Sequence, residues 1–130
     1  FPPDKYTGRP MEGVRSVAEV LMLVAVEGYS FVPTSFGAEP ADLGSREEAA
    51  RRRTLSDKTQ VIAHVNKGFA HAKQSLESVD PSTLTGKRKL MGAERSITDV
   101  VVLVGGDMHE HLGQLIAYAR MNNILPPWSK

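Results

Sequence analysis

Asp107 and His111 are the two residues whose types and spacing in this sequence best fit chemistry. They are four positions apart, so in a helix both side chains project from one face. Val104 and Tyr118 share roughly that face, and a carboxylate among apolar neighbours is costly to bury unless it is paired or hydrogen-bonded. Burial also raises the pKa of a carboxylic acid towards neutrality. The pattern therefore predicts a catalytic pair in an apolar pocket, with Asp107 as a general base for proton abstraction and His111 assisting it.

Two glycines, Gly105 and Gly106, come directly before Asp107 in what should be the interior of a helix. Each glycine costs a helix about 1 kcal/mol relative to alanine, and a buried acid adds to that cost. The usual reason for such a loss of stability is space for something close to the backbone. We therefore expect both glycines to line the pocket together with Val104 and Met108, and the pocket to bind a small molecule.

A divalent metal of the zinc or nickel type is the alternative occupant, since carboxylate and imidazole groups are ligands for such ions. Asp107 and His111 supply only two ligands from one helix, so a third must come from across the bundle. Leu23 stands at the natural depth of the facing helix but has no donor atom, whereas Glu27, one turn further on, has one. The sequence predicts a pocket without a cofactor, and Asp107, His111 and Glu27 as the ligands if a metal is bound.

The helices that must position these residues have marked starts. In three places a serine is followed three residues later by an acid, just before an apolar run. In this capping box the serine oxygen accepts a hydrogen bond from an otherwise unpaired backbone amide, and the acid lies at the positive end of the helix. The three pairs are Ser16–Glu19, Ser45–Glu48 and Ser96–Asp99.

These signals predict long helices over about residues 17–29, 57–79 and 97–122, with Ser56 capping the second, and a short polar helix after Ser45. The helix over residues 57–79 carries apolar residues at helical spacing, which should form its inner face. Those residues are Ile62, Val65, Phe69, Ala72 and Leu76.

Three long helices and one short helix predict an all-α fold, an up-down helical bundle forming a single domain over residues 1–130. Residues 81–95, which include Gly86 and Gly92, are predicted as a loop, and no stretch shows a β pattern. Three long helices leave one seam of a four-helix arrangement uncovered. We expect an upstream helix, or a second copy of the chain in a homodimer, to complete the bundle.

Charge and hydropathy exclude several kinds of partner. The formal net charge is +1, which gives no electrostatic reason to expect nucleic-acid binding. The longest apolar run, from Val20 to Val26, is far too short to span a bilayer. The absence of cysteine excludes disulfides and thiolate metal sites. It fits the cytoplasm or the periplasm, and with no signal peptide visible the cytoplasm is the expected compartment.

The C-terminal stretch from Met108 to Asn122, followed by Pro126-Pro127-Trp128, resembles the last helix of DinB/YfiT-like proteins. The segment from Tyr6 to Pro10, and on through Arg15 to Leu21, is similar to the start of that family's second helix. The spacing between these segments also matches, so the resemblance covers nearly the whole chain. It implies a four-helix bundle whose first helix would precede Phe1.

The resemblance also implies a divalent metal site, which family members form with three histidines. It places those positions at Leu23, Asp107 and His111, of which only His111 is a histidine, and Gly8 stands where the family often has a large aromatic residue. These departures enlarge or depolarise one cavity and leave one acid in it. Natural loss of metal dependence and a pocket rebuilt by design both predict that pattern.

The sequence leaves three functions open. The first is a metal-independent pocket for a small molecule, lined also by Tyr118, with Asp107 as the base. The second is a divalent-metal-dependent transferase or hydrolase of the DinB/YfiT type that uses Asp107, His111 and Glu27. The third is a non-catalytic binding module that dimerises through its uncovered seam.

Overall fold

The computed structural model describes residues 1–129, and within that range the protein is mostly helical, with one small two-stranded hairpin. Short 3-10 turns occupy Pro3–Lys5 and Pro81–Thr85. The α-helices are α1 (Val17–Tyr29), α2 (Phe31–Ser35), α3 (Arg46–Arg53), α4 (Lys58–Ser78) and α5 (Ile97–Met121), and the strands are β1 (Lys87–Leu90) and β2 (Ala93–Ser96).

The capping boxes predicted at Ser16, Ser45 and Ser96 are confirmed, because each serine side chain accepts from the backbone amide three residues on and the acid there bonds back. The start of α4 differs by one residue from the prediction. Asp57, not Ser56, is its N-cap, and the Asp57 carboxylate accepts from the Gln60 backbone amide at 2.9 Å. A carboxylate also interacts favourably with the positive end of the helix.

The middle of the molecule is α1. It runs parallel to α4, since its start meets Val61 and its end meets Gly68, and antiparallel to α5. The predicted up-down order therefore does not hold between the first two long helices. Gly28 of α1 lies directly against Gly68 of α4: a Cβ built on Gly28 would be 2.7 Å from the Gly68 carbonyl group. On the other side, the Tyr118 hydroxyl near the end of α5 donates to the Arg15 carbonyl just before α1 at 2.8 Å. The chain crosses back between α1 and α4 through residues 30–57.

The buried apolar residues form three clusters along α1. One joins α1 to α4 through Ala18, Met22 and Val61 with Tyr6, and another joins α1 to α5 through Val17, Val20 and Tyr118. The third, formed by Val32, Ala72, Val100 and Val104, ties the α2 end of the molecule to α4 and α5. Contacts with α1 and α2 therefore fix α4 and α5 relative to each other.

The all-α prediction, with a loop over residues 81–95, is wrong in one region. Strands β1 and β2 pair antiparallel, with Leu90 opposite Ala93. The two residues between them, Met91 and Gly92, have φ values of 50° and 77°, as in a tight hairpin turn whose twist matches that of the strands. The strands are mainly charged and carry little apolar alternation, so hydrophobic periodicity gave no sign of them.

The predicted inner face of α4 is also partly wrong. Ile62, Phe69 and Leu76 are 41%, 54% and 39% exposed, and the face against α1 is instead formed by smaller residues. Those residues are Val61, Gly68, Ala72 and Ser75. Because small residues allow two helix backbones to approach closely, the larger ones are turned away from α1. They form an apolar face that the described chain leaves uncovered.

One further helix was not anticipated, whereas the expected lack of a membrane-spanning segment agrees with the structure. Residues Phe31–Ser35, expected to begin a loop, form α2, since Pro33 falls in the first helical turn where its missing amide costs no hydrogen bond. Among residues 1–129 no helix combines the length and the hydropathy needed to cross a membrane.

Candidate metal centre

Glu27 of α1 meets Asp107 and His111 of α5 where these two helices face each other. The His111 Nε2 atom is 3.3 Å from Glu27 Oε1 and 3.8 Å from Asp107 Oδ1. One donor atom from each of the three residues lies within 4.8 Å of the others. The structure thus brings together the three residues that the sequence offered as ligands, which we call the triad.

The triad is sheltered to different degrees. The side chains of His111, Glu27 and Asp107 are 8%, 14% and 30% exposed, so Asp107 faces the accessible side. Tyr118 fixes the rotation of α5 that turns His111 inward. Its hydroxyl donates to the Arg15 carbonyl oxygen and accepts from the Gln114 side chain at 3.0 Å. His109, between the two α5 members, is exposed, and its Nδ1 lies 3.0 Å from the Gly105 carbonyl oxygen.

The electrostatics of the triad are dominated by two carboxylates in a sheltered place. Burial raises the pKa of Glu27, and the neighbouring Asp107 carboxylate raises it further. The His111 imidazole, and more weakly the Arg15 guanidinium, act in the opposite direction. Arg15 is a neighbour of the site that the sequence reasoning missed, since it precedes α1 and no helical spacing connects it with Glu27.

Each member of the triad keeps one nearly inaccessible polar atom without a hydrogen-bond partner among residues 1–129: Glu27 Oε2, Asp107 Oδ2 and His111 Nδ1. Leaving such groups unpaired is costly. The 3.3 Å contact of His111 with Glu27 is longer than the roughly 2.7–2.9 Å of a good charge-assisted hydrogen bond. Hydrogen bonds among the described residues therefore leave part of the triad's polar atoms without a partner.

A divalent cation fits these residues. Carboxylate oxygens and imidazole nitrogens bind zinc and related ions at about 2.0–2.2 Å, which puts neighbouring ligand atoms roughly 3–4 Å apart. The distances of 3.3 and 3.8 Å from His111 Nε2 fall in that range. One feature is unlike most metal sites: His111 Nδ1 has no acceptor among the described residues, whereas metal-bound imidazoles usually donate to one.

The other predicted pocket residues line three separate grooves instead of one pocket. Val104 and Met108 line a groove of about 510 Å³. Leu23 lines a second groove of about 330 Å³ with Arg15 and Arg53. Gly8 and Tyr118 line a third of about 190 Å³.

Gly105 and Gly106, expected to line the pocket, lie on the exposed side of α5. A Cβ added to either would meet no described atom within 4 Å, outside its own turn of helix. The space that these glycines leave therefore opens to solvent. The structure does not explain why α5 carries them.

Comparison of the chain with models of protein families, with curated proteins and with solved structures gives no match. The resemblance to DinB/YfiT-like proteins is therefore not confirmed from outside the chain. What the structure itself shows is a small, mostly helical protein with a sheltered Glu27, Asp107 and His111 cluster.

Proposed function

We propose that this protein binds a divalent cation at Glu27, Asp107 and His111 and acts on a small molecule there. The reaction class is that of the metal-dependent transferases and hydrolases that the DinB/YfiT-like resemblance implies, on a DinB-like bundle. The observation that carries the proposal is the convergence of three donor atoms from two helices, each residue keeping one unpaired polar atom. A cation of this kind would supply Lewis-acid chemistry or an activated water.

The residues of the chain have separate tasks in this proposal. Glu27 and His111 hold the cation from the sheltered side, and each must give up its proton to do so. Asp107, which is the most exposed of the three at 30%, holds it from the more accessible side. Glu27 takes the place that Leu23 cannot fill, since Leu23 lies one turn before it on α1 and has no donor atom.

The test is cation binding by chelator-treated protein. Zinc or nickel should bind with one-to-one stoichiometry in titration calorimetry and should raise the melting temperature. Free cation at a hundred times its dissociation constant stabilises a folded protein by about 2.7 kcal/mol. Glu27→Gln, Asp107→Asn and His111→Gln should each weaken binding at least about tenfold, because three protein ligands leave no redundancy.

Two exposed neighbours on α5 provide matched controls: His109→Gln removes an imidazole and Glu110→Gln removes a carboxylate outside the triad. Both variants should bind the cation like the wild type. Absence of binding by wild-type protein, or equal weakening by the control variants, would rule out the site.

The second candidate is metal-independent proton abstraction by Asp107, assisted by His111. Asp107 is the most accessible of the triad and lies 3.8 Å from the His111 imidazole. With chelator present, Asp107→Asn should then abolish turnover of a carbon acid that the protein accepts, while its melting temperature stays within about 2 °C of the wild type. Turnover that persists in Asp107→Asn would refute this mechanism.

A further inference from the structure

The apolar groove of about 510 Å³ lies between α4 and α5, with α1 as its floor. Its walls are mainly apolar, with Phe69 and Leu76 on α4 and Met108 on α5. Two charged residues at its edge, Lys73 and Glu77, are paired with each other at 3.8 Å. A concave, mostly apolar site of this size, with few polar groups, is typical of small-molecule binding.

The groove and the triad share the same turns of α1 and α5 but lie on neighbouring faces of these helices. On α5, Val104 lies one turn before Asp107, and Met108 one turn before His111. On α1, whose residues advance by about 100° each, Glu27 lies between Leu23 on one side and the groove residue Val24 on the other. The groove is therefore lined by near neighbours of the triad members on both helices, although no member of the triad lines the groove itself.

We propose that this groove, building on the cation site proposed above, binds the apolar part of the substrate while its polar end lies at the triad. The substrate class is an amphipathic small molecule, with an aliphatic chain or aromatic ring at one end and an oxygen or sulfur donor at the other. The groove walls disfavour a polar body, because their side chains cannot replace its hydrogen bonds to water. The charges of Lys73 and Glu77 neutralise each other. The groove walls therefore give no reason to expect a charged tail on the substrate.

The probes are two hydroxamates, which share one metal-binding end and differ in their tails. Acetohydroxamate has only the head, whereas octanohydroxamate adds an apolar chain. We measure their dissociation constants by calorimetry on wild-type protein loaded with zinc. Burying a methylene is worth up to about fourfold in affinity, so for a partly open groove we expect octanohydroxamate to bind at least about 30-fold more tightly.

Exposed residues of the groove allow this preference to be removed without disturbing the triad. Phe69→Asp and Leu76→Asp each place a charge in the wall, and should reduce the preference for octanohydroxamate at least about fivefold while zinc affinity stays unchanged. Leu125→Asp is the matched control, since Leu125 is 78% exposed and is not a wall residue of the groove. It should keep the wild-type preference, and circular dichroism checks the fold of all three variants.

The outcomes separate this inference from the proposed function. If zinc binds but the two hydroxamates bind within twofold of each other, the groove inference is overturned and the cation site stands. If zinc does not bind, both fail. If wild-type protein sediments as a dimer, Phe69→Asp as a monomer, and the tail preference is absent, the groove is an interface between two copies of this chain and the inference is overturned.

Discussion

Glu27 is a carboxylic acid held where its charged form is disfavoured. Burial and the adjacent Asp107 carboxylate raise its pKa, against the opposing influence of His111 and Arg15. An acid whose pKa is higher in the folded state stabilises the fold while it is protonated, below its ordinary pKa. That contribution is lost as the pH rises through the raised value.

Without a cation, we therefore expect the difference in unfolding free energy between wild type and Glu27→Gln to change with pH. The wild type should lose stability relative to the variant as the pH rises above the ordinary glutamate pKa of about 4.3, because only the wild type gains a sheltered charge. Urea unfolding at several pH values in chelator measures this. A parallel pH course for the two proteins, as expected for the control Glu110→Gln, would contradict it.

At the level of the elements, the approach of α1 to α4 depends on two glycines. A Cβ at Gly28 would lie 2.7 Å from the Gly68 carbonyl group, and one at Gly68 would lie 2.5 Å from the Ala25 carbonyl oxygen. These neighbours are backbone atoms and do not move aside as a flexible side chain does. The two helices must therefore separate to accept any larger residue.

Gly28→Ala should destabilise the protein by about 1–3 kcal/mol, the usual cost of overpacking a core. Gly113→Ala is the matched control on α5, because its Cβ would meet no described atom within 4 Å outside its own helical turn. There the higher helix propensity of alanine should add up to about 1 kcal/mol. The midpoints of denaturant unfolding measure both changes in stability. If Gly28→Ala left the unfolding free energy unchanged, the two helices would be packed less tightly than the structure shows.

The starts of the helices could be predicted from the sequence, whereas the face that α4 packs against α1 could not. Capping boxes are local and each bonds within three residues, so the starts at Ser16, Ser45 and Ser96 were readable. The face that α4 turns to α1 depends on which residues of α1 it meets. Periodicity favoured the large residues Ile62 and Phe69 as the buried face of α4. The face that packs against α1 is instead the one that contains Gly68, because only a glycine allows the two backbones to come so close.

For the molecule as a whole, the long-range part of the site was only partly predictable. The four-residue spacing put Asp107 and His111 on one face of α5, and elimination along α1 proposed Glu27 as the third donor. The single pocket, however, required all the predicted lining residues to share one cavity. The structure distributes them over three grooves, because helix spacing fixes which face a residue occupies but not which neighbour covers that face.

The hydrogen bond from Tyr118 to the Arg15 carbonyl has a consequence for how this chain tolerates changes of length. Tyr118 is anchored at 2.8 Å, and His111 lies seven residues earlier on the same helix. Inserting or deleting one residue between them would rotate His111 by about 100°, away from Glu27. The hairpin turn carries no such anchor to the triad, so length variation is far more tolerable there than in the two turns between the tyrosine and the histidine.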